Sequence, residues 1–116
     1  MAVQTPVITN ISANTWKVVW GPVAAGDTFT PVPIQAGFAN RSVQIEGTFG
    51  GATFGLQGSN DGTNYRNLNN LQNTAITTIS AGAVLGVAEL PAFIQPTISG
   101  GAGTSVTITL LLHGTI

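Results

Sequence analysis

Cysteine is absent from the 116 residues, which excludes disulfides and thiolate metal sites and leaves the redox compartment open. Charge is almost absent too. Lys+Arg number 3 and Asp+Glu 4, so charged residues make up 6% of the chain, against about 25% in an ordinary soluble domain. They are Lys17, Arg41, Arg66, Asp27, Glu46, Asp61 and Glu89, with His113 as the single histidine. A net charge of −1 offers no basic footprint for nucleic acid, whose phosphates require clustered Lys and Arg. It offers no polybasic patch for an anionic membrane either. Apolar runs such as Leu110 to Leu112 are far too short to span a bilayer. The opening Met-Ala-Val-Gln-Thr-Pro has no basic region followed by an apolar one, so no signal peptide is expected. Nor does an apolar 3.6-residue period persist for three turns anywhere, so no helix is expected.

These deficits leave a polar surface that must consist of Thr, Ser, Asn and Gln. A free monomer usually carries interspersed charge and a net charge away from zero. A surface so poor in charge fits one covered by copies of itself or by a partner, because interface cores are depleted in charged residues. An amide-rich but soluble β domain is the simpler alternative. The length suits one domain with one core and no need of a staple.

Period-two alternation dominates what is present. In Ser42 to Phe49, Val43, Ile45, Gly47 and Phe49 alternate with Ser42, Gln44, Glu46 and Thr48, the pattern of a half-buried strand. Gly50-Gly51 turns the chain into Ala52 to Gly58. Asn60-Asp61-Gly62 follows as a turn signal, because Gly accepts positive φ and Asn and Asp tolerate it. Further strands are expected at Val7 to Ile11, Trp16 to Trp20, Asn64 to Leu68, Ala75 to Ile79, Ala83 to Glu89 and Phe93 to Ser99. Gly21 to Gly26, Asn67 to Asn73 and Gly100 to Gly103 read as loops. Thr28 to Ile34 holds Pro31 and Pro33, which cannot donate to a ladder, and reads as an edge strand or extended loop; Pro96 places part of its strand at an edge. Thr104 to His113 is the clearest strand, with Val106, Ile108, Leu110 and Leu112 facing the core. Its stretch Val106 to Leu112 has neither charge nor proline and would pair with other chains if left at an edge, so a central or covered position is expected. The fold class is all-β: a single antiparallel β-sandwich of about eight or nine strands, jelly-roll-like, with an immunoglobulin-like strand order as the alternative. Residues 1–14 read as an extended N-terminal arm and 15–116 as the sandwich.

Candidate chemistry is sparse. His113 alternates outward near the end of a strand and has no nucleophile elbow to serve. Asn60, Asp61 and Asn64 could offer oxygens to a cation, but one carboxylate is poor for a hard ion, and an Asx turn explains them better. Gly100 to Gly103 leads into a strand, so it lacks the helix terminus of a phosphate loop. Trp16, Trp20 and Tyr65 could stack on a sugar, yet Trp16 and Trp20 share a face with Val18, as core residues would. No catalytic residue, metal or cofactor is expected.

An ordered set of motifs adds a resemblance. Trp16-Lys17-Val18-Val19-Trp20 is followed by Gly26-Asp27, then by Arg41 to Gly50, then by Leu56-Gln57-Gly58-Ser59-Asn60-Asp61-Gly62-Thr63. Glu89-Leu90-Pro91, Pro96 to Gly101 and a terminal alternating strand close the set. In these motifs the chain resembles a group of small tailed-bacteriophage virion proteins. The resemblance implies a β-sandwich structural protein without enzyme activity, of the capsid decoration (cement) type. Such a protein is made in the bacterial host cytoplasm and sits on the outer capsid surface. Its implied partners are the major capsid protein and itself, a trimer being one arrangement, with no nucleic acid or membrane. A receptor- or glycan-binding module of a tail or head fibre is the alternative. The candidate capsid or self-contacts are Val3, Thr5, Val7 and Ile8 in the N-terminal segment and Thr30, Val32, Ile34 and Phe38 in the proline-containing loop; Asn60, Asp61 and Gly62 form a turn. One departure stands out: the family pattern has Asp after Asn67-Leu68, whereas this chain has Asn69-Asn70, which leaves an acidic contact there unsupported.

Overall fold

A computed structural model describes residues 2–34, 38 and 40–114. The described residues form β1 (Val3–Gln4), β2 (Val7–Ser12), β3 (Thr15–Val23), β4 (Thr28–Phe29), β5 (Val32–Pro33), β6 (Asn40–Thr48), β7 (Thr53–Ser59), β8 (Arg66–Asn67), β9 (Ala83–Gly86), β10 (Phe93–Ser99) and β11 (Ser105–His113). No helix occurs among them. A five-stranded antiparallel sheet runs β2-β3-β11-β6-β9, a four-stranded one runs β5-β10-β7-β8, and β1 pairs with β4 in a short parallel ladder. The sheets pack as a β-sandwich. Val18, Trp20, Val43, Ile45, Ile108 and Leu110 from the larger sheet share one core with Phe54, Leu56 and Ile94 from the smaller.

Alternation explains which strand lies where. On β11, Val106, Ile108, Leu110 and Leu112 are all fully buried, while Ser105 and Thr107 are exposed. The strand is central, laddered to β3 on one side and to β6 along its whole length on the other. The aggregation-prone stretch is thus covered on both edges. Proline acts as expected. Pro33 lies on edge strand β5, and β5 pairs with β10 only at Phe93 and Ile94, so Pro96 sits where that pairing has already ended.

Three expectations need correction. First, β3 does not stop at Trp20 but continues through Gly21 to Val23, with an irregular register against β11 between Val106 and Ile108. Second, Ala75 to Ile79 is not a regular strand. It touches the smaller sheet through isolated bridges, Asn69 to Ala75 and Phe54 to Ile79, with Leu56 N–H donating to the Ile76 carbonyl at 3.0 Å. The cause is close approach: the Ile76–Thr77 backbone lies over Gly55, where a Cβ would come within 2.5 Å of the Ile76 oxygen. Third, Asn67 to Asn73 is not a wholly solvated loop, because Leu68 is in the core.

The N-terminal residues are extended and backbone-paired to the rest. Val3 and Gln4 face Thr28 and Phe29, and Val7 to Ser12 form the edge of the larger sheet through β3. The 14/15 boundary therefore falls in the turn of the β2–β3 hairpin.

Candidate interaction surfaces

An Asp27 clasp positions the N-terminal segment. Asp27 is only 7% exposed. Its Oδ1 accepts from Ala2 N–H at 3.0 Å, and its Oδ2 accepts from the Gln4 side-chain amide at 2.8 Å and from Ala24 N–H at 2.9 Å. Thr28 N–H donates to the Ala2 carbonyl and Thr30 N–H to the Gln4 carbonyl, both at 2.9 Å, which completes the clasp. The Ala24 N–H, then the Gln4 amide, hold the Asp27 carboxyl below the ordinary carboxylate range. A folded-state value below the unfolded one means the stabilisation is present above about pH 4 and is lost as pH falls through the folded value. Asp27→Asn is therefore expected to lower the midpoint of urea unfolding at pH 7 and to have progressively less effect as pH falls toward 3. An equal effect at both pH values would show that the clasp carries no charge-dependent stability.

The clasp leaves a row of apolar side chains in solvent. Val3, Val7, Ile8 and Ile11 are 67%, 64%, 44% and 56% exposed, and every residue of β2 is exposed. Thr5 is exposed beside them. The proline-containing loop is different. Val32 is fully buried and Phe38 is 7% exposed, its ring 5.1 Å from that of Trp16. These two are core residues and drop out of the contact set. Thr30 and Ile34 are half-buried. The Thr30 carbonyl accepts from Trp20 Nε1 at 3.0 Å, and Ile34 N–H donates to the Ala92 carbonyl at 2.8 Å. The prolines suggest a surface loop, but Val32 pairs with Ile94 and follows it inward.

A second apolar surface, which no local sequence pattern signals, lies at the opposite edge of the same sheet. Leu71, Val84 and Leu90 are 70%, 63% and 59% exposed. Leu71 lies against Gly86, where a Cβ would meet its Cδ1 at 2.5 Å, and Val84 precedes Gly86 on the same face of β9. Leu71 and Leu90 border a depression of about 420 Å³ shared with Arg41, Gly86 and His113. Glu89 organises this corner. Its Oε1 and Oε2 accept from the Asn69 backbone N–H and side-chain amide, both at 2.7 Å. The Asn69 contacts hold the Glu89 carboxyl below its ordinary value, the backbone N–H first. Arg41 Nη1 donates to the Glu89 carbonyl at 3.2 Å, and burial lowers the guanidinium's pKa. An acidic contact at this turn does exist, with the acid on Glu89 and the amide on Asn69.

The Asn60 turn is held mainly by Asp61. Asp61 Oδ1 accepts from Ser59 Oγ at 2.7 Å, from Thr63 N–H at 2.9 Å and from Asn64 N–H at 2.8 Å; Oδ2 accepts from the Asn64 amide at 2.9 Å. These donors hold the Asp61 carboxyl well below the usual range, the Asn64 backbone N–H first. Both carboxylate oxygens are thus committed to the turn. Gly62 has φ 77°, which suits glycine. Asn60 Oδ1 accepts from Ala92 N–H at 3.0 Å, tying the turn to the approach of β10. Among the described residues no group of three or more His, Asp or Glu side chains could hold a metal. His113 Nδ1 lies 3.4 Å from Thr15 Oγ1. Trp20 is fully buried and Trp16 half-buried, so they present no two-ring platform with Tyr65. Gly100 to Gly103 packs on the Gly50–Gly51 turn, with Ala102 N–H donating to the Gly50 carbonyl at 2.9 Å. No family model, no curated protein and no solved structure matches this chain.

Proposed function

We propose that this chain is a phage capsid decoration protein, bound to the outer surface of the head, where it stabilises contacts between major capsid subunits. One observation carries the reading: the exposed apolar side chains gather at two opposite edges of one rigid sheet, Val7 to Ile11 at one and Leu71, Val84 and Leu90 at the other. The four strand spacings from β2 to β9 hold these surfaces about 19 Å apart, at roughly 4.8 Å per spacing. A bridge needs two separated contacts and no moving parts. The scarcity of charge across the remaining surface suits one spent largely in contact. Each contact can be weak, because a symmetric array multiplies them. The motif resemblance described above supports the same reading.

The test is the copy number of this chain relative to the major capsid protein, measured by quantitative mass spectrometry on purified virions that contain it. A ratio near one to one, or a simple fraction of it, is expected. A handful of copies per particle would overturn the lattice role and favour a receptor- or glycan-binding position on a tail or fibre.

A further inference from the structure

Four strands end the two main sheets, and three of those edges are blunted. Edge strand β5 is two residues long and contains Pro33. Strand β8 is two residues long and carries Arg66. Strand β9 is four residues long and is capped at its end, where Asn70 is bridged to Val87, Ala88 N–H donates to the Asn69 carbonyl at 2.9 Å and Leu71 lies over Gly86. Strand β2 lacks these protections, its one irregularity being a register shift against β3 between Asn10 and Ser12. It is six residues long, has no charge and no proline, and among the described residues is paired on one side only. Folded proteins normally guard such an edge, since its outward N–H and C=O groups invite another strand.

We propose that β2 is a self-recognition edge: two copies of the chain pair through it, antiparallel, about a two-fold axis at Thr9. The pairing joins two five-stranded sheets into one of ten strands, and the inference does not rest on the capsid reading. The register follows from the side chains. Val7 pairs with Val19 and Thr9 with Lys17, so Val7 and Thr9 share the outer face, while the register shift between Asn10 and Ser12 takes Ile11 out of the alternation. With Thr9 on the axis, Thr9 meets the partner's Thr9. Cross-strand β-branched and Thr–Thr pairs are among those that stabilise antiparallel ladders. On the other face Ile8 meets the partner's Asn10.

Three features select a second copy as the occupant. An antiparallel neighbour continues the alternation already present through β2, β3, β11, β6 and β9. No like charges are brought together. The nearest cation, Lys17 on β3, would stand three strand spacings, about 14 Å, from its equivalent, beyond a Debye length of about 8 Å at physiological salt. Finally, one long open edge per chain closes on itself, so the two-fold contact ends at a dimer and cannot grow into a fibre.

The test is the association state of the full chain by sedimentation velocity across about 1 μM to 1 mM. A reversible monomer–dimer equilibrium is expected. Thr9→Lys sets two ammonium groups across the axis and should weaken the dimer at least about tenfold; Thr9→Glu should do the same. Mixing the two variants should restore a one-to-one dimer, which a loss of folding could not produce. Amide exchange on the wild type supplies a second readout: the β2 amides directed away from β3 should slow as concentration rises. A monomer at 1 mM, a trimer or larger ring, a dimer untouched by Thr9→Lys, or β2 exchange independent of concentration would each overturn the proposal. A monomer would leave the edge to a strand of another protein.

Discussion

Trp20→Ala is expected to cost about 3–5 kcal/mol, the range for removing a large buried aromatic side chain. Trp20 is fully buried on β3, opposite Ile108 of the central strand, and is among the largest side chains in the core. Its loss opens a cavity walled by both sheets, which the laddered backbone cannot close. The indole also donates from Nε1 to the Thr30 carbonyl at 3.0 Å, anchoring the chain between β4 and β5. A domain of this size has roughly 5–15 kcal/mol of stability, so the variant should lose about a fifth or more of it and unfold at markedly lower urea. Trp20→Phe keeps most of the volume and loses the N–H donor, so its cost should be smaller, about 1–2 kcal/mol, as for other lost buried hydrogen bonds. Equal midpoints for the wild type and Trp20→Ala would refute the packing account.

Gly47→Ala should be nearly as damaging, although it adds a single methyl group at an exposed position. Gly47 has φ 137°, a conformation that side chains rarely adopt. A Cβ there would fall on the Ser105 carbonyl oxygen and lie 2.9 Å from Val106 Cα. Both obstacles are backbone of the central strand, so no rotamer change relieves them. Backbone strain of about 1–3 kcal/mol adds to an overpacking cost of about 1–3 kcal/mol. At roughly 4 °C per kcal/mol the melting temperature should drop by about 8 °C or more. Gly51→Ala separates the two costs. Its φ is 85°, but nothing lies within 4 Å of the added Cβ, so only the backbone cost remains and the drop should be about half as large. If the two alanines melted together, close approach of the Ser105 backbone would play no part.

These two positions mark how far the sequence could be read. The alternation of Val106, Ile108, Leu110 and Leu112 identified the central strand and its inward face, because side-chain direction in a strand is set by local geometry alone. Pro31 and Pro33 marked an edge for an equally local reason: they lack the N–H a ladder needs. At Gly47 the same alternation misled. The residue falls in phase with Val43 and Ile45, yet it is exposed, held in positive φ by a strand contributed from residue 105 onward. Gly55 is a similar case. Its missing side chain lets the Ile76–Thr77 backbone cross the smaller sheet and breaks the strand expected there.

The interaction surfaces divide in the same way. Exposure of Val3, Thr5, Val7 and Ile8 was expected from the sequence, since nothing in a short polar-flanked segment demands burial. Burial of Val32 and Phe38 was not, because prolines nearby masked side chains that turn into the core. Asp27 gave no signal beyond being one of four acids; its partners Ala2, Gln4 and Ala24 converge only when β1 lies beside β4. Leu71, Val84 and Leu90 come from separate segments and form a surface only because Asn69 and Glu89 pin one loop to the other. The sequence by itself determined the all-β class, the central strand and the scarcity of charge, because these depend on residue type and period two. Tertiary structure alone decided the strand order, the four sheet edges and which of them is open, because those depend on contacts between residues far apart in the chain, which no local pattern encodes.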